Sequence, residues 1–197
     1  GDIPIALRGN AHEAGPNAPR GFIKILQANP SPVIAPKSSG RAELADWIAN
    51  PENPLTARVY VNRIWHHLFG RGIVQSVDNF GQMGDSPSNP ELLDHLSTLF
   101  IKEGWSTKAL IRNIMLSRVY QLSSLSTPSQ ASTDVENLYH WRQNHRRLQA
   151  EAIRDSILSV SGTLDERLGG NTVKPGTKTE YGYQFGGTRR SLNTPAF

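Results

Sequence analysis

The residues whose types and spacing could do chemistry begin in the middle of the chain, on one predicted helix. Arg58, Asn62 and His66 recur every four residues and therefore share one face of that helix. Arg63 and His67 share the neighbouring face. One interpretation is a polar groove that presents cations and imidazole to an acidic or sugar-like ligand. The other, which we favour, is that Arg58 and Asn62 hydrogen-bond the carbonyl groups of nearby loops, since buried polar groups need partners.

The adjacent histidines His66 and His67 do not predict a metal site. Neighbouring residues of a helix point about 100 degrees apart, so the two rings cannot easily bind one ion. The sequence has no His-Glu-x-x-His pattern, and it contains no cysteine for a thiolate zinc site, an iron–sulfur cluster or covalent haem. We therefore expect neither a metal nor a cofactor in this chain.

His67 and the carboxylate of Asp78 are the candidate catalytic residues of a hydrolase-type enzyme. An imidazole next to a carboxylate can act as a general base. The sequence has no Gly-x-Ser-x-Gly elbow, no cysteine nucleophile and no phosphate-binding glycine loop to accompany them. We therefore place the catalytic interpretation second to a non-catalytic one.

A second polar cluster lies in the predicted final helix. Its ionisable residues are His140, Arg142, His145, Arg146, Arg147, Glu151, Arg154 and Asp155. Helical spacing pairs Glu151 with Arg147, Arg154 and Asp155. These residues form either an anion-handling site or a ladder of exposed ion pairs, each worth about 0.3 kcal/mol. For Arg147, Glu151 and Arg154, which neighbour apolar residues, an inward network is an equally open alternative.

The elements that must position these residues predict a mainly α fold. We expect about five helices around a buried central helix, long ordered loops and a minor β-hairpin. The predicted helices span residues 41–50, 54–69, 88–103, 106–122 and 135–161. The central helix, 54–69, has the clearest ends, with Asn53 as its cap, Pro54 in its first turn and Gly70 after it. Two apolar stripes along it indicate that it is largely buried.

Three sections organise the chain. Residues 1–38 are predicted to form an irregular N-terminal arm with one or two short strands, and residues 39–170 a helical domain. Residues 171–197 form a loop-rich segment. Ser88 and Glu91 have the spacing of a capping box, and Ser106 is the predicted cap of the following helix. The Ser/Thr-rich stretch 123–133 is predicted to be mobile.

Composition narrows the function classes. The chain has 21 Lys and Arg residues against 17 Asp and Glu, a net charge of +4 over 197 residues, so nucleic-acid binding has weak support. No stretch approaches the roughly 20 apolar residues that a membrane span needs. The start at Gly1 and Asp2, without an initiator Met, leads us to expect a piece of a longer protein.

A series of short motifs carries a family resemblance. They include S-G-R at 39–41, N-P-L-T-A-R at 53–58, F-G-R-G-I-V at 69–74, D-N-F-G at 78–81, R-R-L at 146–148 and A-E-x-I-R-D at 150–155. With these motifs in this order, the chain resembles the planctomycete cytochrome-associated domain of unknown function number 1553. The resemblance covers most of residues 39–170, and the family's domain continues beyond the end of this chain.

The resemblance implies a context rather than a reaction, because no activity is established for the family. It implies a large exported protein, periplasmic or at the cell surface, whose other domains are the partners and hold any covalent haem. His66 does not fall on a family motif position. The candidate residues that do are His67 and Asp78 for catalysis, and Arg58, Asn62, Arg63, Arg118, Tyr120, Arg147, Glu151, Arg154 and Asp155 for binding.

The leading hypothesis is a non-catalytic binding or scaffolding module that engages polysaccharide or a partner domain. Aromatic rings can stack on sugars, and the tryptophans are Trp47, Trp65, Trp105 and Trp141. We expect the first three of these in the core. The alternatives are a hydrolase-type enzyme that uses His67 and, with less support, nucleic-acid binding through the basic final helix.

Overall fold

The computed structural model describes residues 2–26, 33–35, 37–126, 128–168 and 187–191. The chain divides into two compact units, Gly1–Asn144 and His145–Phe197. Of the predicted C-terminal segment 171–197, all but residues 187–191 lies outside the described residues.

The described residues form a mainly α fold with one small antiparallel sheet, as the sequence predicts. Two strands, β1 (Ile3–Ala6) and β2 (Ala14–Ala18), pair with Ile3 opposite Ala18 and a bulge between Pro4 and Ala6. The helices are α1 (Arg41–Ile48), α2 (Thr56–Phe69), α3 (Pro90–Lys102), α4 (Thr107–Met115), α5 (Pro128–Thr133) and α6 (Ala150–Val160). None of the described helices combines the length and hydrophobicity that crossing a bilayer requires.

Helix α2 is the central helix, and its ends follow from local sequence. The Asn53 carboxamide oxygen accepts hydrogen bonds from the amides of Leu55 at 3.0 Å and Thr56 at 3.3 Å, so Asn53 caps the turn that leads into the helix, and Leu55 is the residue directly before the helix. Pro54 and Leu55 form a turn, so the regular helix begins at Thr56 rather than at Pro54. Gly70 ends the helix with a φ of +83°, a conformation that glycine adopts without steric cost.

The core of the first unit lies where α2, α3 and α4 pack together. Its fully buried members include Val61 and Phe69 of α2 and Leu110 of α4. Ile73 and Val74, from the loop after α2, close the same core. Burying a side chain of this size contributes about 1.5–3 kcal/mol, so these contacts dominate the stability of the unit.

Two predicted helix ends around α3 and α4 are wrong. The cap of α3 is Asn89, which accepts from the Leu92 amide at 3.0 Å, whereas Ser88 donates its hydroxyl to the Ile73 carbonyl. Helix α4 is capped by Ser106 as predicted but stops at Met115, short of residue 122. The Ser117 hydroxyl bonds the Ile114 carbonyl there, and the chain turns away.

The predicted helix over 135–161 is also wrong in its first half. Within this range only Ala150–Val160 is helical. Before it, the side chains of Asp134 and Asn137 hydrogen-bond the backbone of Leu138 and Arg142, and these bonds compete with a helix. We call residues 134–144 the 134–144 loop. The stretch predicted to be mobile contains the short helix α5, since Pro128 is accepted in a first helical turn.

Candidate functional site

A cavity of about 430 Å³ opens in the first unit between α2, α3, α4 and the 134–144 loop. Its size is within the range of small-molecule sites. The walls are mostly apolar, and Trp65, Leu92, Leu96 and Ile114 line them. Among the described residues that line this pocket, none is Asp, Glu, Lys or Arg. The pocket therefore offers an apolar surface without formal charge.

Hydroxyl and amide groups of the lining are mostly engaged with the protein. The hydroxyls of Ser88 and Ser117 donate to the carbonyls of Ile73 and Ile114. The Asn113 amide lies 3.1 Å from both carboxylate oxygens of Glu103. These bonds hold the walls in place and leave little polar surface toward the cavity.

His140 is the buried polar residue of the lining. The indole Nε1–H of Trp65 donates to His140 Nε2 at 3.2 Å, and the two rings meet edge to face with centroids 5.3 Å apart. Because Nε2 accepts this bond, the neutral ring carries its proton on Nδ1. That Nδ1 is buried and has no hydrogen-bond partner among the described residues. His140 as a whole is 9% exposed.

The surroundings of His140 favour its neutral form. Burial lowers the pKa of His140 below its ordinary value, and the positive charge of Arg71 lowers it further. The carboxylate of Asp134 opposes this shift to a smaller extent. Protonation of His140 at Nε2 would also place an N–H on that nitrogen, directly against the N–H that Trp65 points at it. Both the hydrogen bond and the local charges therefore keep the ring uncharged.

The 134–144 loop holds His140 in an unusual backbone conformation. The φ angle of His140 is +53° and that of Asn137 is +55°, a region that residues other than glycine seldom occupy. The Asp134 carboxylate accepts from the amides of Leu138 at 2.9 Å and Tyr139 at 3.0 Å. These side-chain bonds replace helical hydrogen bonds and fix the residues that line the pocket.

Asn137 and Asn144 tie this loop to the end of α2. Asn137 is fully buried, and its amide donates to the Arg142 carbonyl at 2.8 Å and to the Asn144 side chain at 2.9 Å. The Asn144 amide in turn donates to the carbonyl of Phe69 at 3.2 Å. Backbone strain of order 1–3 kcal/mol per residue is retained only where such bonds enforce it, and it concentrates at functional sites.

A match of the chain to a known family adds to this geometry. The model of the family described as PSD1, a protein of unknown function (DUF1553), matches residues 40–196. The chain belongs to this family. None of the curated proteins and none of the solved structures matches the chain. Its membership in the DUF1553 family carries no assigned reaction, so the site must be interpreted from its own chemistry.

Two of the candidate residues on α2 fasten loops in this DUF1553 domain. Asn62 is fully buried, and its side chain accepts from the Val74 amide at 2.8 Å and donates to the Val74 carbonyl at 2.9 Å. Arg58 bonds the Pro54 carbonyl at 2.6 Å and the carboxylate of Asp94 at 2.7 Å. These contacts correspond to the interpretation that the polar side chains of α2 serve the fold.

Of the two candidate catalytic residues, His67 lies near the end of α2 and Asp78 lies in the loop that follows α2. The Asp78 carboxylate pairs with Arg63 at 2.7 Å, and both side chains are exposed. His67 is exposed and meets His66 edge to face, with ring centroids 5.7 Å apart. Within the described ranges, no group of three or more His, Cys, Asp or Glu residues is arranged to hold a metal ion.

Two further candidates lie after α4 and differ in burial. Tyr120 packs edge to face on Phe69, with centroids 5.5 Å apart, and borders the core. Arg118 is exposed.

The remaining candidates lie in the second unit, where Arg154 and Asp155 of α6 hold residues 187–191. Arg154 donates to the carbonyls of Gly187 and Arg189 and to the Ser191 hydroxyl. Asp155 accepts from the Ser191 hydroxyl at 2.7 Å and from its amide at 2.8 Å. These two hydrogen bonds lower the pKa of Asp155, and the bond from the Ser191 hydroxyl has the larger effect. We call this set of contacts the α6 clasp.

Glu151 and Arg147 contribute differently. The backbone carbonyl of Glu151 accepts a weak bond from the Ser191 hydroxyl at 3.4 Å. Arg147 precedes the first residue of α6 and is exposed, so it does not share a helical face with Glu151. The ionisable residues predicted to share one long helix are thus divided between the 134–144 loop, residues 145–149 and α6.

The residues that build the pocket were missed as a site by sequence reasoning. His140 was placed in the basic final helix, and Asp134 and Asn137 were not singled out. A usable signal was present, because Asp and Asn favour turns by bonding their own backbone a few residues on. Asp134 and Asn137 lie six and three residues before His140.

Proposed function

We propose that this chain is a small-molecule-binding module and that the pocket beside His140 takes the apolar part of the ligand. The observation that carries the proposal is the pocket wall itself, in which a strained, buried histidine has no partner for Nδ1 among the residues that the structure describes. A buried donor without a partner costs about 1–3 kcal/mol, and such outliers concentrate at functional sites. The apolar cavity beside it supplies the binding surface.

The volume of the pocket limits the size of the ligand. An apolar cavity of about 150 Å³ holds one benzene molecule. A pocket of about 430 Å³ therefore accepts a body of about two such rings, allowing for imperfect filling. A bicyclic aromatic or a chain of similar volume fits this limit.

A small apolar ligand is better supported than a polysaccharide. Sugar recognition by stacking needs an accessible aromatic face. Trp65 is 3% exposed, and Trp47 stacks on Phe22 with ring centroids 5.4 Å apart. The apolar pocket also lacks the dense polar groups that sugar hydroxyls require.

The wider context is proposed from the family resemblance. We infer a binding or scaffolding module of a larger, exported protein that is associated with cytochrome domains, in a planctomycete. The other domains of that protein are the proposed partners. Co-purification of the full-length protein from its natural source, followed by haem staining, tests this context.

Direct titration tests the binding site. We expect 2-naphthalenemethanol, added to the isotope-labelled chain, to shift NMR signals of α3, α4 and the 134–144 loop in a saturable manner. At a free concentration of 100 times Kd, such a ligand stabilises the native state by about 2.7 kcal/mol. Unchanged signals and melting temperature with this probe and with an indole and a cyclohexyl analogue contradict the proposal.

A matched pair of substitutions localises the binding. Leu99 lines the pocket, and Leu99→Trp should fill it and weaken binding by at least about tenfold, or 1.4 kcal/mol. Leu125 is 80% exposed and outside the lining, so Leu125→Trp should leave binding unchanged. If Leu99→Trp lowers the melting temperature, Ser117→Leu fills the same cavity from the turn that follows α4. Equal affinity in all variants excludes this pocket.

The hydrolase and nucleic-acid alternatives stay predictions. For a hydrolase, His67→Ala should abolish turnover of an ester or glycan while the melting temperature is nearly unchanged. For nucleic-acid binding, affinity for short DNA should fall steeply with salt.

A further inference from the structure

The lining of the pocket selects ligands by their charge. This inference rests on the proposed function. In the part of the chain that the structure describes, 15 residues line the pocket and none of them is Asp, Glu, Lys or Arg. A charged group that enters such a site loses its hydration without gaining a counter-charge, at a cost of several kcal/mol. Of the lining residues, His95 and His140 are the ones able to carry charge near neutral pH.

We propose that His140, held neutral by Trp65, is a specificity-determining residue of the pocket, which therefore takes uncharged apolar ligands and rejects charged molecules of the same shape.

Burial, the charge of Arg71 and the bond from Trp65 favour a neutral His140, whereas Asp134 opposes it. Its Nε2 accepts from Trp65, so a proton there would be forced against an indole N–H. Arg71 repels a positive ring from one side, and its own charge is paired with Glu136 at 3.0 Å. Asp134 attracts a positive ring, but its carboxylate oxygens are already engaged by two backbone amides. Burial adds to the penalty on the charged form.

The other ionisable residues of the lining do not supply a buried counter-charge. His95 is exposed on α3, so any charge on it is solvated. Tyr139 is 74% exposed. A ligand charge within the apolar part of the cavity therefore stays unpaired, while a hydroxyl or carbonyl can still hydrogen-bond at the rim.

A trio of ligands with one shape tests the inference on the full chain. The probes are 2-naphthalenemethanol, 2-naphthylmethylammonium and 2-naphthoate, titrated by NMR at pH 7.5. We expect the neutral probe to bind at least about tenfold more tightly than either charged probe. Equal affinities with shifts at the pocket overturn the inference and leave the proposed function standing. Absence of pocket shifts with all three overturns the proposed function and, with it, this inference.

The state of the imidazole provides a readout that does not depend on ligand. Nitrogen-15 spectra of the His140 ring at pH 7.5 should show a neutral ring with its proton on Nδ1. A ring protonated on both nitrogens, or on Nε2 alone, contradicts the assignment.

A charge placed in the lining should reverse the preference. Ser117→Asp adds a carboxylate to the pocket and should raise affinity for the ammonium probe at least about tenfold relative to the neutral probe. Ser124→Asp, outside the lining, is the matched control and should change neither affinity. If Ser117→Asp unfolds the chain, Asn89→Asp places a carboxylate in the same lining at the N-cap of α3, a position that favours Asp as well as Asn. Unchanged relative affinities in a folded variant overturn the inference.

Discussion

Trp65 and His140 are 75 residues apart in the chain and are joined by a hydrogen bond of 3.2 Å from the indole Nε1 to the imidazole Nε2. The bond connects the central helix to the 134–144 loop and fixes the histidine that lines the pocket. It also selects the neutral form of that histidine, because a protonated Nε2 could not accept. One contact therefore sets both the shape and the charge of the proposed site.

Trp65→Phe should raise the pKa of His140 toward its ordinary value of 6.5, because Nε2 can then take a proton without facing a donor. The lost bond and smaller ring should lower the free energy of unfolding by about 2 kcal/mol. An NMR pH titration of the His140 ring measures the shift. Trp105→Phe, a core tryptophan without this bond, should leave that pKa unchanged. Identical titration curves for Trp65→Phe and the wild type contradict the prediction.

The stability of the chain should fall as the pH falls below about 6.5. The folded-state pKa of His140 is lowered, so the unfolded state binds more protons in this range and gains relative to the native state. Asp134, Asp155 and Asp165 also have lowered pKa values, but they titrate below their ordinary value of 3.8. The pKa of Glu43 is also lowered, from an ordinary value of 4.5. Urea unfolding between pH 7.5 and 5 therefore covers the range in which His140 contributes, and a substitution of His140 assigns the change.

The matched variants for this pH dependence are two histidine-to-glutamine changes. His140→Gln keeps an acceptor for Trp65 but cannot titrate, so the loss of stability between pH 7.5 and 5 should become shallower. His145→Gln removes an exposed histidine and should leave the slope as in the wild type. The same slope in His140→Gln and the wild type would show that another group is responsible.

Asn62→Ala should lower the free energy of unfolding by about 3 kcal/mol, because it leaves the buried amide and carbonyl of Val74 without partners. Asn79→Ala is the control, since the Asn79 side chain bonds the Gly81 amide at an exposed position. It should cost less than about 1 kcal/mol. Chemical denaturation measures both values, and equal losses would exclude Asn62 as a buried fastening of the loop.

Gly72→Ala should destabilise the chain by about 2 kcal/mol or more through overpacking. An added Cβ at this position would lie 2.3 Å from the Val74 carbonyl oxygen and 2.9 Å from the Asn62 amide group. Gly21→Ala is the matched control, because no atom lies within 4 Å of a Cβ there. Differential scanning calorimetry should show a clear drop in Tm for Gly72→Ala alone; a comparable drop in both variants rejects the steric explanation.

Arg154→Ala should release residues 187–191 from the α6 clasp, because it removes the donor to the Gly187 and Arg189 carbonyls. The Ser191 amide, which donates to Asp155 at 2.8 Å, should then exchange its hydrogen faster. Arg167→Ala is the control, since the Arg167 side chain is 85% exposed and pairs with Asp165. Hydrogen exchange at Ser191 that is unchanged by Arg154→Ala would show that the clasp is not what protects it.

The sequence by itself determined the elements whose signals are local. The cap at Asn53 and the stop at Gly70 act within four residues, and the structure places a helix end at or beside each of them. The apolar stripes of α2 likewise predicted its burial, because a helix apolar over a wide arc must pack on several neighbours. The mainly α class and the minor hairpin followed from the same kind of pattern.

Only the tertiary structure decided which polar residues meet. Residues 135–149 have helical spacing, but the hydrogen bonds from the Asp134 and Asn137 side chains to the backbone outweigh the small intrinsic preference for helix. Among the candidates from the sequence, Asn62 binds a loop and Tyr120 borders the core. The pocket depends on a bond between Trp65 and His140 across 75 residues. The periodicity of a sequence shows which residues share one face of a helix or strand. The burial and the charge state of a side chain, by contrast, are set only when distant elements pack together.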